Sequence, residues 1–191
     1  MNSMPLRSAL VAAAAVLAGT GAHAANFVVD ALANSSSGTG VGLATVSLTA
    51  GQSFSVAVDP GDLWSAGALP RWSNADGLTH NLFATGSDDS GQAAGTQIGA
   101  DFGLWTQGNL TAPFGTLVGR IDSGDFFVIG TAFSGVASAS GTLNLYYWDS
   151  NNGDNTEHVT ASISAVPEPE TYALMLAGLG LVGFMARRRK A

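Results

Sequence analysis

Along most of the chain, apolar and polar positions alternate with the two-residue period of a strand that buries one face. The alternation is cleanest in Ser53-Phe54-Ser55-Val56-Ala57-Val58 and in Thr142-Leu143-Asn144-Leu145-Tyr146-Tyr147, where every second side chain is apolar. Other short runs rich in β-branched and aromatic residues lie at 27–32, 41–49, 116–121, 126–131 and 158–165, and the second alternating run reaches 148. Turn formers separate them: residues 35–40, Ala50-Gly51, Asp59-Pro60-Gly61-Asp62, Asp122-Ser123-Gly124-Asp125 and residues 150–153. Short strands at turn-marked intervals, with no competing helical period, predict an all-β domain over residues 25–166, an antiparallel β-sandwich or jelly roll. Residues 66–112 break the rhythm. They hold Trp72, Trp105, many glycines and the polar run 87–96, and predict a long excursion that is either functional or mobile.

Both ends of the chain carry a helical pattern instead. Arg7, an apolar run at 9–18, the break at Gly19-Thr20-Gly21 and Ala22-His23-Ala24 form the charged, apolar and small-x-small regions of a removable signal peptide. This helix covers residues 1–24, with cleavage expected after Ala24. At the other end Pro167-Glu168-Pro169 precedes an apolar run at 172–186, then Arg187-Arg188-Arg189-Lys190. Prolines at 167 and 169 are expected to keep the chain extended. The apolar run makes about 22 Å of helix, and arginines that reach the interface extend it toward the ~30 Å hydrocarbon core. Residues 167–191 are therefore expected to form a transmembrane helix with its basic end in the cytoplasm. Motif, apolar span and basic end in this order resemble the PEP-CTERM sorting signal. The resemblance implies an exosortase as partner, which cleaves near the motif, in a host that makes exopolysaccharide. It also implies a protein held at the inner membrane before it reaches the cell surface or matrix.

Charge narrows the function of the middle domain. Of the seven Lys and Arg residues only Arg71 and Arg120 lie within 25–166, whereas of the fourteen acids only Glu168 and Glu170 lie outside it. Such an acidic surface repels phosphate backbones, so nucleic acid is not an expected partner. It suits cations or neutral ligands such as sugars, or simply keeps an exported domain soluble. Cysteine is absent, so packing and a metal are the available staples. Catalysis has little to stand on. Two histidines, His80 and His158, survive loss of the signal peptide, and no Gly-x-Ser-x-Gly turn occurs. The order His80, Asp88, Ser90 uses residue types too common to define a triad. Zinc has too few nitrogen and sulfur ligands, and acid pairs such as Asp88-Asp89 have no separation that sequence can define. A non-enzyme is the expectation.

The richest chemistry is Asp149-Ser150-Asn151-Asn152-Gly153-Asp154-Asn155-Thr156-Glu157, read as a hairpin loop between the last two strands. Its carboxylates, amides and carbonyls are the hard oxygens that calcium takes in sets of six to eight. An ordinary polar turn has the same composition.

The residues Leu117-Val118-Gly119-Arg120-Ile121, the run 127–130, Gly141-Thr142-Leu143-Asn144-Leu145-Tyr146-Tyr147-Trp148-Asp149, Asp154-Asn155 and Val159-Thr160-Ala161-Ser162-Ile163 resemble PA-I-like galactophilic lectins. Upstream, Ala50-Gly51-Gln52 and Trp72 before Asp76-Gly77 fit as well. These lectins are small β-sandwiches that hold galactose through calcium. The resemblance implies Asp149 as the first carboxylate ligand, Asp154 and Asn155 as the closing pair, and Ala66 as a backbone carbonyl ligand. It places His80 near the sugar-contacting histidine and Asp76 one position from the sugar-contacting aspartate. The loop here is two residues shorter, so a threonine ligand of the family has no counterpart. Trp64, Trp72, Trp105 and Trp148 are candidates to stack on a sugar, with Trp148 expected in the core. The expectation is an exported, exosortase-sorted surface or matrix protein with a calcium-dependent, lectin-like domain that binds exopolysaccharide or a galactose-like glycan. A matrix protein without a small ligand and a carbohydrate-active hydrolase remain the alternatives.

Overall fold

A computed structural model describes residues 23–166 and 169–188. Two four-stranded antiparallel sheets form the domain. One has the order β1 (His23–Asp30), β14 (His158–Ala165), β3 (Ser53–Val58), β12 (Ala132–Val136). The other has the order β11 (Phe126–Val128), β10 (Leu117–Ile121), β13 (Gly141–Tyr147), β2 (Leu43–Leu48). Because side chains alternate across a strand, Phe54, Val56 and Val58 of β3 and Val159, Ala161 and Ile163 of β14 face one way. They pack against Leu143, Leu145 and Tyr147 of β13 and Leu117 and Ile121 of β10, all buried in one core. Each Val, Leu, Ile or Phe among them contributes about 1.5–3 kcal/mol by leaving water.

Three short ribbons occupy the stretch predicted as a long excursion. They are β4 (Trp64–Ser65) with β5 (Trp72–Ser73), β6 (Leu82–Phe83) with β7 (Gln97–Gly99), and β8 (Leu104–Gln107) with β9 (Leu110–Pro113). The β8–β9 ribbon lies on the outer face of the second sheet. There Ala112, Val118 and Trp148 are buried together, with Trp105, Phe126 and Tyr146 packed against them. The indole N–H of Trp148 donates to the Trp105 carbonyl at 3.0 Å, so Trp148 is core as expected. A smaller cluster of Leu63, Ala84 and Ile98 anchors the other two ribbons.

The structure corrects three sequence readings. The run predicted at 126–131 is two elements, because Ile129-Gly130-Thr131 carries the chain from one sheet to the other and β12 then pairs with β3. Loop 148–157 is not a hairpin: β13 pairs with β10 and β2, while β14 pairs with β1 and β3. Alternation reports which face is buried but not which neighbour a strand takes. The third correction concerns Pro169. It opens α1 (Pro169–Arg188) instead of extending the chain, because a missing N–H costs nothing at the first helical position.

Pro167 and Glu168 lie outside the described residues, as do residues 1–22 of the expected signal helix. Strand β1 begins at His23, opposite Ala165, so cleavage after Ala24 would trim two residues from the strand's end. Helix α1 forms where the tail pattern predicts one. Among the described residues, however, no helix is long and apolar enough to cross a membrane. Glu170 at one end and Arg187 and Arg188 at the other leave an apolar stretch shorter than the bilayer core.

Candidate functional site

Loop 148–157 connects the two sheets, and its neighbours hold it from several sides. The amide of Asn152, itself buried, donates to Leu32 O at 3.0 Å and Thr39 Oγ1 at 3.2 Å. Ser36 Oγ donates to Asp149 O and accepts from Asp149 N, both at 3.2 Å. Ser65 and Thr156 exchange backbone hydrogen bonds at 3.0 Å in an antiparallel bridge. That register sets Ala66 opposite Asn155.

Of the four residues expected to bind a metal, Ala66 thus stands opposite Asn155, and Asp149 has both Asn155 and Asp154 near it. Asp149 is buried, with Ser150 N donating to its Oδ1 at 2.6 Å. Burial raises its carboxyl above the usual range, and the Asp154 charge adds to this. The N–H groups of Ser150 and Asn151 and the Asn155 amide act the other way. Asn155 is 4% exposed. Its Nδ2 donates to Ala31 O at 3.0 Å, which settles the amide's orientation and leaves Oδ1 buried with no donor. Asp154 lies against Gly67, where a Cβ would run into the carboxylate, and φ there is +109°. Glycine at 67 therefore both permits the backbone and leaves space for the acid.

One buried phenol completes the picture. The Tyr147 hydroxyl is buried without a partner. Burial raises its pKa well above the usual range, with Asp149 and Asp154 pushing the same way, so it stays a neutral phenol. A buried carboxylate, a second carboxylate nearby and an orphaned amide oxygen thus stand close together, and the amide oxygen alone of the three lacks a donor. A hard cation satisfies such a set, and oxygen-only chemistry selects calcium or magnesium over zinc. Among the described residues no three His, Cys, Asp or Glu side chains cluster, so amide and carbonyl oxygens would have to supplement the two acids. Sequence reasoning missed Gly67, Arg71, Tyr147 and Asn152, whose roles arise only from contacts between distant segments.

The expected sugar contacts are arranged differently. The Asp76 carboxylate accepts from Thr131 N at 2.7 Å and from Thr131 Oγ1 at 3.0 Å on both oxygens. It thus pins the crossing between β11 and β12, where Gly130 has φ +66° and leaves no room for a side chain against Asp76. His80 is exposed, with Nδ1 2.9 Å from Thr79 Oγ1. It lines a shallow cleft with Pro60, Leu63, Trp72, Ser73 and Leu82. Replacing Asp76 by alanine is expected to lower stability by about 0.5–1.5 kcal/mol, since two donors lose their protein acceptor to water. His80→Ala should change it by less than about 0.5 kcal/mol. Thermal melts of the two variants check this; equal melting temperatures would remove the structural role of Asp76.

Asp88 accepts from Ser90 Oγ and from Thr85 N and Oγ1, and these bonds lower its pKa to about 2. It closes its own turn and makes no contact with His80. The larger cavity, about 250 Å³, is lined by Phe54, Ile121, Phe127, Phe133, Val136 and Ser138. It is apolar and carries no charged group.

No curated protein matches the chain. Among solved structures, one described as "EclA N-terminal domain; PllA-like lectin" is similar to it at 17% identity, over 73% of this chain and 94% of that one, with a TM-score of 0.44. Residues 165–190 match the PEP-CTERM protein-sorting motif, so the chain ends in a PEP-CTERM sorting signal.

Proposed function

We propose that this is an exosortase-sorted surface or extracellular-matrix protein whose β-domain binds carbohydrate through calcium. Ala66 O, Asp149, Asp154 and Asn155 Oδ1 would hold the ion. The observation that carries the reading is the orphaned Asn155 Oδ1, buried beside a carboxylate that burial destabilises. Calcium takes six to eight oxygens, so these four residues leave positions for water or for vicinal sugar hydroxyls. That is the chemistry by which the ion would join a neutral glycan to an acidic domain. Asp76 is committed to Thr131, so sugar contacts beyond the ion would come from exposed groups such as His80 and the half-buried Trp72.

The tail supports the address. The sorting motif implies export and membrane anchoring before processing. Although α1 is short, its exposed Leu176, Leu179, Val182, Phe184 and Met185 suit a membrane more than water. Arg187 and Arg188 would stay at the cytoplasmic interface.

A glycan array probed with and without calcium tests the domain. Binding to galactose-like or host exopolysaccharide glycans that EDTA abolishes is the expected result. No binding in either condition would leave a matrix protein without a small ligand, and release of reducing sugar would favour a hydrolase. Intact mass of protein from the native host should show a start near Ala25 and loss of the apolar tail. Full-length chain retained in the cytoplasm would overturn the sorting assignment.

A further inference from the structure

Arg71 is one of two basic residues in the whole β-domain, and it reaches into the oxygen cluster just described. Its backbone is tied across the β4–β5 turn, since Ala66 N donates to Arg71 O at 3.0 Å. From there the side chain folds back. Nη1 lies 3.4 Å from Ala66 O and 3.4 Å from Asp154 Oδ2, and the guanidinium carbon sits 4.7 Å from the centre of the Phe102 ring. Both polar contacts are longer than the ~2.7–2.9 Å of a strong charge-assisted bond, and the side chain is 37% exposed. The guanidinium is held loosely enough to leave.

Two of the four oxygens assigned to calcium therefore already face a cation that belongs to the chain. We propose that Arg71 is a latch on this site: it neutralises Asp154 and Ala66 O while the cation is absent, and it must withdraw for the cation to enter. This rests on the calcium reading above and adds what regulates it. A divalent ion and the guanidinium cannot share Asp154 without repulsion. At about 6 Å in a water-like dielectric that repulsion is worth about tenfold in affinity. The latch keeps Asp154 paired when calcium is scarce and favours loading where calcium is plentiful.

The test is a calcium titration of the full-length chain in mild detergent, for wild type, Arg71→Met and Arg71→Lys, with melts of each in EDTA. Arg71→Met removes the charge and keeps most of the volume, so it should bind calcium about tenfold more tightly than wild type and melt at a lower temperature in EDTA. Arg71→Lys keeps the charge and should stay within about threefold of wild type. In an Asp154→Asn background the Arg71→Met gain should largely vanish, because the contested carboxylate is gone. If wild type binds calcium and Arg71→Met binds it equally or more weakly, the latch is wrong and the calcium site stands. If wild type binds no calcium at millimolar concentration, the site falls and the latch with it.

Discussion

Replacing Trp64 by alanine is expected to destabilise the domain by about 3–5 kcal/mol and to lower its melting temperature by roughly 10 °C or more. Trp64 is fully buried and packs edge-on against Tyr147, with ring centres 4.6 Å apart at 88°. Its indole N–H donates to Gly115 O at 2.9 Å. Truncation therefore opens a cavity between the β4–β5 ribbon and β13, and also removes the donor to a buried carbonyl. Trp64→Phe should recover most of the packing and lose about 1 kcal/mol for the hydrogen bond. Trp72 is only half-buried, so Trp72→Ala should fall well short of Trp64→Ala. Equal losses for Trp64→Ala and Trp72→Ala in denaturant titrations would mean that the ribbon is not anchored through Trp64. Because Trp64 lies two residues before Ala66, the same variant should also weaken any cation site built on the Ala66 carbonyl.

Calcium is expected to raise the melting temperature of the domain comprising residues 25–166, and EDTA to reverse the rise. A ligand bound only by the folded state adds about 2.7 kcal/mol at one hundred times its Kd, which corresponds to roughly 5–15 °C for a domain of this size. The gain has a local cause. Asp149 is buried with a carboxyl that burial raises, and Asn155 Oδ1 beside it has no donor, so a cation there would relieve the one and satisfy the other. Asp149→Asn and Asn155→Leu should each remove most of the calcium-dependent rise. Asn155→Leu should also lower stability in EDTA, because Ala31 O loses its donor. Magnesium should give a smaller rise, since it demands tighter octahedral geometry than a set of amide, carbonyl and carboxylate oxygens offers. Superimposable melts with EDTA and with millimolar calcium would reduce the loop to a polar connection between sheets.

How far each feature could be read from sequence follows from the range of the forces behind it. The alternation in β3 and β13 announced both a strand and its buried face, because the two-residue period is a local property of extended backbone. Trp148 was legible as core from its residue type alone, since alternation sets it on the face opposite Tyr147, where the β8–β9 ribbon buries it. The sorting tail was legible because its motif, apolar run and basic end are contiguous, and α1 forms there. The crossing at Gly130 was not legible, since the run from 126 to 131 reads as one strand and a lone glycine within it does not say that the chain changes sheets. The bond from Thr131 N to Asp76, fifty-five positions away in the chain, holds the bend and ties an exposed acid to it.

The oxygen-rich composition of residues 149–157 was evident in the sequence, and that composition alone allows either a turn or a metal site. Tertiary structure decided which oxygens stand together. It joined β13 and β14 through different sheets, brought Ala66 opposite Asn155 through the Ser65–Thr156 bridge, and turned the Asn155 amide toward Ala31, 124 positions away. It also placed Arg71 against Asp154 across 83 positions. Strand formation and targeting depend on short contiguous patterns that a chain displays before it folds. A site made of orphaned acceptors and a loosely held counter-ion exists only after packing has removed water from groups that are far apart in sequence.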